Sequence, residues 1–260
     1  MACPPRPPHA HSARLVARLV EMASNARKSS AGSDAHGSGS QSLAGLPAVG
    51  EALAVCAHPD DESFGLGGVL ELMSRNGTRA RVLCFTHGEA STLGDTALDL
   101  AVVRARELRD AASVLGVSEV TLHSYADGRL NQVPLAELAT LVDDAVGSAD
   151  LLLVFDEGGI TGHPDHRRAT EAGLLAASRH GIAVLAWAVP ETVANQLNAE
   201  HGTTFLGRPD NELDITVTVD REQQKAAIAC HASQSNDNPV LWRRLELSGN
   251  EERLRWLTRA

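Results

Sequence analysis

The stretch ALAVCAHPDDESFGLGG, residues 52–68, joins an apolar run to a histidine, a proline, three consecutive acids and a glycine-rich segment. An apolar run bounded by turn chemistry reads as a buried strand, and the amphipathic residues from Glu62 to Asn76 read as the helix that follows it. Asn76-Gly77 supplies the stop. Three adjacent carboxylates repel one another and oppose folding unless they are solvated or something positive sits among them. The place of these acids, between a strand and its helix, favours a cation.

The same alternation continues outward from this unit. RARVLCFT, EVTLH, LLLVF and IAVLAWAV read as strands, and Thr96–Leu115, Leu135–Val146 and Arg167–His180 as the helices between them, with Leu115-Gly116 and His180-Gly181 as further stops. LDITVTVD alternates as another strand and precedes a helix from Arg221 to His231. Strands alternating with helices predict an α/β fold built on a mostly parallel sheet. A chain of 260 residues that is 43% hydrophobic can bury one large core. The Pro/His-rich start and the Gly/Ser/Ala-rich Ser24–Ser42 predict an unpacked extension over residues 1–47, with a short helix at Ala13–Met22, ahead of one domain over 48–260.

Charge narrows the partners. A net charge of −10 without a basic cluster argues against nucleic acid and anionic membranes. No long apolar run or cleavable leader is evident, and the four cysteines show no CxxC spacing, so the expectation is a cytoplasmic protein with reduced thiols. Homo-oligomer formation is left open.

In open parallel sheets, functional groups collect beyond the carboxyl ends of the strands. A second polar cluster, GITGHPDHRRAT at 159–170, follows the LLLVF strand just as the acids follow the first. His58 and Asp61 supply one nitrogen and one oxygen, and a second-loop histidine, His166 or His163, supplies a third ligand. Two histidines and a carboxylate with an open position form a hydrolytic zinc arrangement. Asp60 is then left over as a general base. His163 becomes the proton donor and oxyanion stabiliser, with the Asp165 carboxylate accepting from its other ring nitrogen. Glu62 reads simply as an acid favouring the positive end of a helix dipole.

The pairing of AHPDDE with GHPDH about a hundred residues later resembles the zinc-dependent de-N-acetylases of the LmbE/PIG-L family, over roughly Glu51 to Leu247. The resemblance implies a Rossmann-like three-layer fold with helices on both faces of the sheet. It implies one Zn2+ per chain on His58, Asp61 and His166, with Fe2+ an alternative in cells. It also implies Asp60 as base, His163 at the tetrahedral intermediate, and a small N-acyl amino sugar as substrate. RARELRDAASVLGV resembles the family's RxxEL helix, so that Arg104 reads either as a sugar contact or as the helix partner of Glu107. Asp127 in YADGRL and Glu89 in THGEA match positions that line the pocket in relatives. KAAIACHASQ carries His231 and Gln234, read as structural hydrogen-bonding groups. Some relatives carry a tyrosine where this chain has Thr161, so His163 must do more of the oxyanion work.

The alternatives are a non-haem Fe(II) oxygenase, which the βα alternation disfavours, and a non-catalytic sugar-binding protein, which has no need of Asp60 and His163. A nucleotide site on Gly65, Gly67 and Gly68 lacks the full glycine spacing and follows repelling acids. Those glycines read instead as close packing beside the metal loop. With aromatics at 3% of the chain, an extended sugar-stacking surface is not expected.

Overall fold

A computed structural model of the chain describes residues 45–93 and 99–259, and in it the first apolar run forms strand β1, Glu51–Cys56, buried along its length. Leu53 and Val55 enter one core cluster while Ala52, Ala54 and Cys56 enter another. Burial on both faces is the reason this strand reads as a continuous apolar run rather than an alternating one.

The chain continues through α1 (Gly67–Arg75), β2 (Arg79–Thr86), α2 (Leu100–Leu115), β3 (Glu119–Tyr125), α3 (Leu135–Val146), β4 (Leu151–Phe155), α4 (Pro164–His180) and β5 (Ala183–Ala188). It ends with α5 (Glu191–His201), β6 (Ile215–Thr218), α6 (Arg221–Cys230), α7 (Pro239–Ser248) and β7 (Glu251–Thr258). The seven strands lie in the order β3-β2-β1-β4-β5-β7-β6. The first five are parallel, and β7 runs antiparallel to both β5 and β6. Apolar residues of α1, α2, α5 and α6 pack on one face of the sheet, and those of α3 and α4 on the other. The expected mostly parallel α/β sheet with helices on both faces is therefore present. β1 is flanked by β2 on one side and β4 on the other, the topological switch point of such a sheet. The carboxyl ends of β1 and β4 carry the two polar clusters.

Several details differ from the sequence reading. The helix expected over Glu62–Asn76 is broken: a single turn, Asp61–Phe64, precedes α1, with Gly65 and Leu66 between them. The polar helix α5, with only Val193, Ala194 and Leu197 buried, escaped a reading based on apolar periodicity. So did α7 and the charge-rich β7. Leu46, on the extension side of the expected boundary after residue 47, is buried in the core. Residues 1–44 of that extension, including the expected helix at Ala13–Met22, lie outside the described residues, as do positions 96–98 of the expected Thr96–Leu115 helix. The described cysteines, Cys56, Cys84 and Cys230, are free. No described helix is long and apolar enough to cross a membrane.

The glycines after the acids are packing devices. A Cβ on Gly65 would lie 2.4 Å from Phe155, and one on Gly68 would lie 2.9 Å from Val219. Gly68→Ala gains helix propensity of up to about 1 kcal/mol, but overpacking typically costs about 1–3 kcal/mol. Urea unfolding is expected to show net destabilisation by Gly68→Ala, partly reversed by adding Val219→Ala; a neutral single variant with no coupling contradicts this packing.

Candidate metal centre and active site

The tight turn after β1 places His58, Asp60 and Asp61 at the sheet edge, and the turn before α4 places His163 and His166 beside them. His58 Nδ1 lies 3.1 Å from His166 Nε2, and His166 Nε2 lies 3.1 Å from Asp61 Oδ1. Bonds of about 2.0–2.1 Å to a tetrahedral zinc place neighbouring ligand atoms roughly 3.3–3.4 Å apart, close to both of these distances; His58 Nδ1 lies 3.9 Å from the other Asp61 oxygen, and His163 also stands within one ion's reach of His58 and His166.

Each candidate ligand is held by its other polar atom. Asp61 Oδ2 accepts the backbone N–H groups of Ala57 and His58, at 2.9 and 3.0 Å, leaving Oδ1 toward His166. His166 Nδ1 lies 3.2 Å from the Gly159 carbonyl, which selects the tautomer with a free Nε2 lone pair. His58 Nε2 faces Asp127 Oδ1 at 3.1 Å and Asp165 Oδ2 at 3.4 Å, which favours a proton on Nε2 and a lone pair on Nδ1.

The charges also call for a cation. Four carboxylates, those of Asp60, Asp61, Asp127 and Asp165, surround the histidines, and Arg104 is the guanidinium paired among them. Burial opposes a charged His58, yet Asp127, Asp165 and Asp61 raise its pKa to about 10. Burial likewise opposes a charged Asp61, but His166, His58 and the backbone N–H hold its carboxyl far below the usual range. The donor set and the excess of carboxylates both fit a divalent metal.

Asp60 stands beside this set rather than in it. Burial pushes its carboxyl up to about 6 against the pull of Arg104, whose Nη2 donates to Asp60 Oδ2 at 2.8 Å. The same guanidinium donates to the carbonyls of Pro59 and Gly88, at 2.5 Å each. Asp60 has φ 126° and Ile160, in the second loop, has φ 65°; among the described residues these are the only non-glycines at positive φ. Strain of this kind persists where surroundings over-determine it, and it clusters at functional sites. Here Glu62 supplies part of the constraint. Its Oε2 accepts the Asp60 N–H at 2.9 Å, and its Oε1 lies 2.6 Å from both Ser63 Oγ and His231 Nε2. Glu62 and His231 are both fully buried, so Glu62 is an internal tie rather than a solvated acid at a helix end.

His163 caps α4, its Nδ1 accepting the Asp165 N–H at 3.2 Å. In the neutral ring the proton therefore sits on Nε2. Burial and the neighbouring His166 and His58 lower its pKa, which favours that neutral donor. The sequence reading gave the Asp165 carboxylate to His163. Instead it accepts from Gly128 and Leu130 N–H, at 2.7 and 3.0 Å, and faces His58, because capping turns the Asp165 backbone, not its side chain, toward His163.

A cavity of about 640 Å3 opens over these groups, lined by His58, Asp60, Asp61, Arg104, Asp127, His163 and His166 among others. Arg104 is buried against Asp60 and is not paired with Glu107, which binds Ser233 N–H and Oγ instead. Glu89 stays outside the lining; its carboxylate accepts the Asp127 N–H at 3.0 Å. Gln234 does reach the cavity, accepting from Ser91 Oγ at 2.7 Å. Thr161 lines it as well.

The family model described as "PIG-L: GlcNAc-PI de-N-acetylase" matches residues 53–177, which include both loops. The chain is 30% identical over 235 residues to a Saccharomonospora viridis 1D-myo-inositol 2-acetamido-2-deoxy-alpha-D-glucopyranoside deacetylase, covering 72% of this chain and 86% of that protein. The chain belongs to the PIG-L/LmbE family. A Schizosaccharomyces pombe relative, a probable N-acetylglucosaminyl-phosphatidylinositol de-N-acetylase, is 30% identical over 168 residues; the match spans 62% of this chain and 60% of that protein. The zinc-inhibited form of teicoplanin deacetylase Orf2 has a similar fold, with TM-score 0.61 and 17% identity over 79% of this chain and 97% of its own.

Removing the Arg104 side chain would leave Asp60 and two carbonyls unpaired in a buried setting. Arg104→Met is expected to cost about 3–5 kcal/mol in urea unfolding, whereas loss below about 1 kcal/mol contradicts the buried tie.

Proposed function

We propose that this chain is a metal-dependent hydrolase that removes an N-acetyl or related N-acyl group from a glucosamine-type sugar in a small molecule. The observation that carries the reading is that one cavity gathers His58, Asp61 and His166, a trio able to hold a metal, together with Asp60 and His163. A binding protein needs only the trio, and the parallel sheet separates this chain from an all-β oxygenase. Family membership supports the amide as the bond attacked.

His58, Asp61 and His166 would hold the metal, and the two-nitrogen, one-oxygen donor set supports zinc. Bound there, zinc would polarise the amide carbonyl and lower the pKa of water at the site. Asp60 accepts a proton from the attacking water as the new C–O bond forms. His163 donates a hydrogen bond from Nε2 to the oxyanion that develops on the carbonyl oxygen. Collapse breaks the C–N bond, and the proton held on Asp60 passes to the leaving nitrogen, giving a free amine and a carboxylate. Asp165 positions His58. Asp127 does the same, and its place in the cavity lining supports a further contact with the sugar. Arg104 acts on Asp60, and Glu89 acts through the Asp127 backbone.

The test follows amine release from methyl N-acetylglucosaminide together with bound metal. Asp60→Asn is expected to keep the metal and lose about a hundred- to ten-thousandfold in kcat, while His166→Ala loses the metal. A near-normal rate in Asp60→Asn would remove it as the base.

A further inference from the structure

The chain has only eight aromatic residues of the Phe, Trp and Tyr type, yet Phe64, Phe155, Trp187 and Phe205 all line the one cavity over the metal centre. Their distribution is one-sided. Strand order places β2 and β3 on one side of β1 and β4 and β5 on the other. The loops after β2 and β3 bring Ser91, Thr92 and Asp127 to the lining beside Ala90 and Leu93, and Ser91 ties Gln234 to the same side. The end of β4 brings Phe155, its loop brings Ile160, and β5 brings Trp187. The cavity therefore divides at the metal centre into a polar half and an apolar half.

The apolar half begins at the centre itself. The Phe155 ring meets the His166 ring edge-on at 5.0 Å and lies 5.2 Å from Trp187. It is also set before any ligand arrives. Gly65 lets both rings approach, since a Cβ there would lie 2.4 Å from Phe155 and 3.1 Å from Trp187. Trp187 donates its indole N–H to Glu252 at 2.7 Å, and the Arg244 guanidinium covers its ring at 5.1 Å. Arg244, the charged residue on this side, donates from Nη2 to the Phe64 carbonyl, while its buried Nη1 lies 3.6 Å from Glu252 without a hydrogen-bond partner among the described residues. A sugar ring placed here would find Thr161 and Arg244 but leave most of its hydroxyls without partners, a cost that an alkyl chain does not carry.

On the proposed hydrolase reading, the amide straddles the metal centre, with its sugar to one side and its acyl group to the other. We propose that the sugar occupies the polar half and that the apolar half is an acyl pocket, making the preferred substrate an amide of glucosamine with an alkanoyl chain longer than acetyl. A methyl group alone would leave most of this wall uncovered, in a cavity whose 640 Å3 sits within the roughly 300–1,000 Å3 usual for small-molecule sites.

The test uses the methyl glucosides of N-acetyl-, N-butanoyl-, N-hexanoyl- and N-octanoylglucosamine, with octyl N-acetylglucosaminide as the comparison. Calorimetry on zinc-loaded Asp60→Asn gives dissociation constants, and amine release by the wild type gives kcat/KM. The expected result is tightening by about three- to fourfold for each added methylene, with kcat/KM rising in step. Trp187→Ala should shrink the octanoyl-to-acetyl ratio. Phe205→Ala should shrink it too, at a half-buried loop position on the edge of the core, where truncation removes less buried surface than at Trp187. Normal cleavage of the acetyl compound with no chain-length dependence overturns the acyl pocket and leaves the hydrolase standing. Tightening with chain length but no cleavage of any amide upholds the pocket and removes the hydrolase. A gain seen only with the octyl aglycone overturns the assignment of this half to the acyl group.

Discussion

The carboxylates at the end of β1 repel one another, and much of the local structure can be read as what holds them together. Asp60 and Asp61 are adjacent in the chain, and Asp127 and Asp165 are brought to His58 from two other loops. One guanidinium, Arg104, meets part of this charge, and it does so buried, with Nη1 and Nη2 also donating to the carbonyls of the two loops it joins. What remains is an excess of negative charge focused on three imidazoles, the electrostatic condition for binding a divalent cation. The switch point of the sheet explains why these loops meet at all, since β1 and β4 are neighbours whose following loops open in the same direction.

The arrangement separates holding from reacting. Asp61 and His166 are pinned through one polar atom each to backbone groups, and His58 faces two carboxylates, so each presents its remaining atom inward. Asp60 and His163 are restrained differently. The strained backbone of Asp60 is tied by Glu62, itself bound to buried His231, and its carboxylate by Arg104. His163 is fixed by a helix cap that also selects its tautomer. Fixing donors and acceptors before reaction is what gives electrostatic catalysis its magnitude.

Much of this was legible in the sequence because it is local. The run LLLVF is β4 to the residue, and Leu135–Val146 is α3 to the residue; both combine clear periodicity with clear stops. The two His/Asp motifs fall where strand-to-helix turns were expected. What stayed hidden depends on contacts distant in the chain. Arg104 and Glu107 look like a helix pair at i and i+3, but the fold offers Arg104 a carboxylate from another loop and Glu107 a serine over a hundred residues away. Glu252 lies in the charge-rich start of β7 and is buried because Arg221 and the Trp187 indole meet it there. A low aromatic content says nothing about where aromatics gather, and here half of them face one cavity.

The central claim is that His58 Nδ1, Asp61 and His166 Nε2 hold one metal ion. Two other sets lie close enough to compete for it: His58 with His163 and His166, and His58 Nε2 with Asp127 and Asp165. A crystal structure of the zinc-loaded protein with anomalous data at the zinc edge distinguishes the three sets. The account predicts one peak at about 2.0–2.2 Å from His58 Nδ1, an Asp61 oxygen and His166 Nε2. A peak between His58 Nε2 and the carboxylates of Asp127 and Asp165 would contradict it.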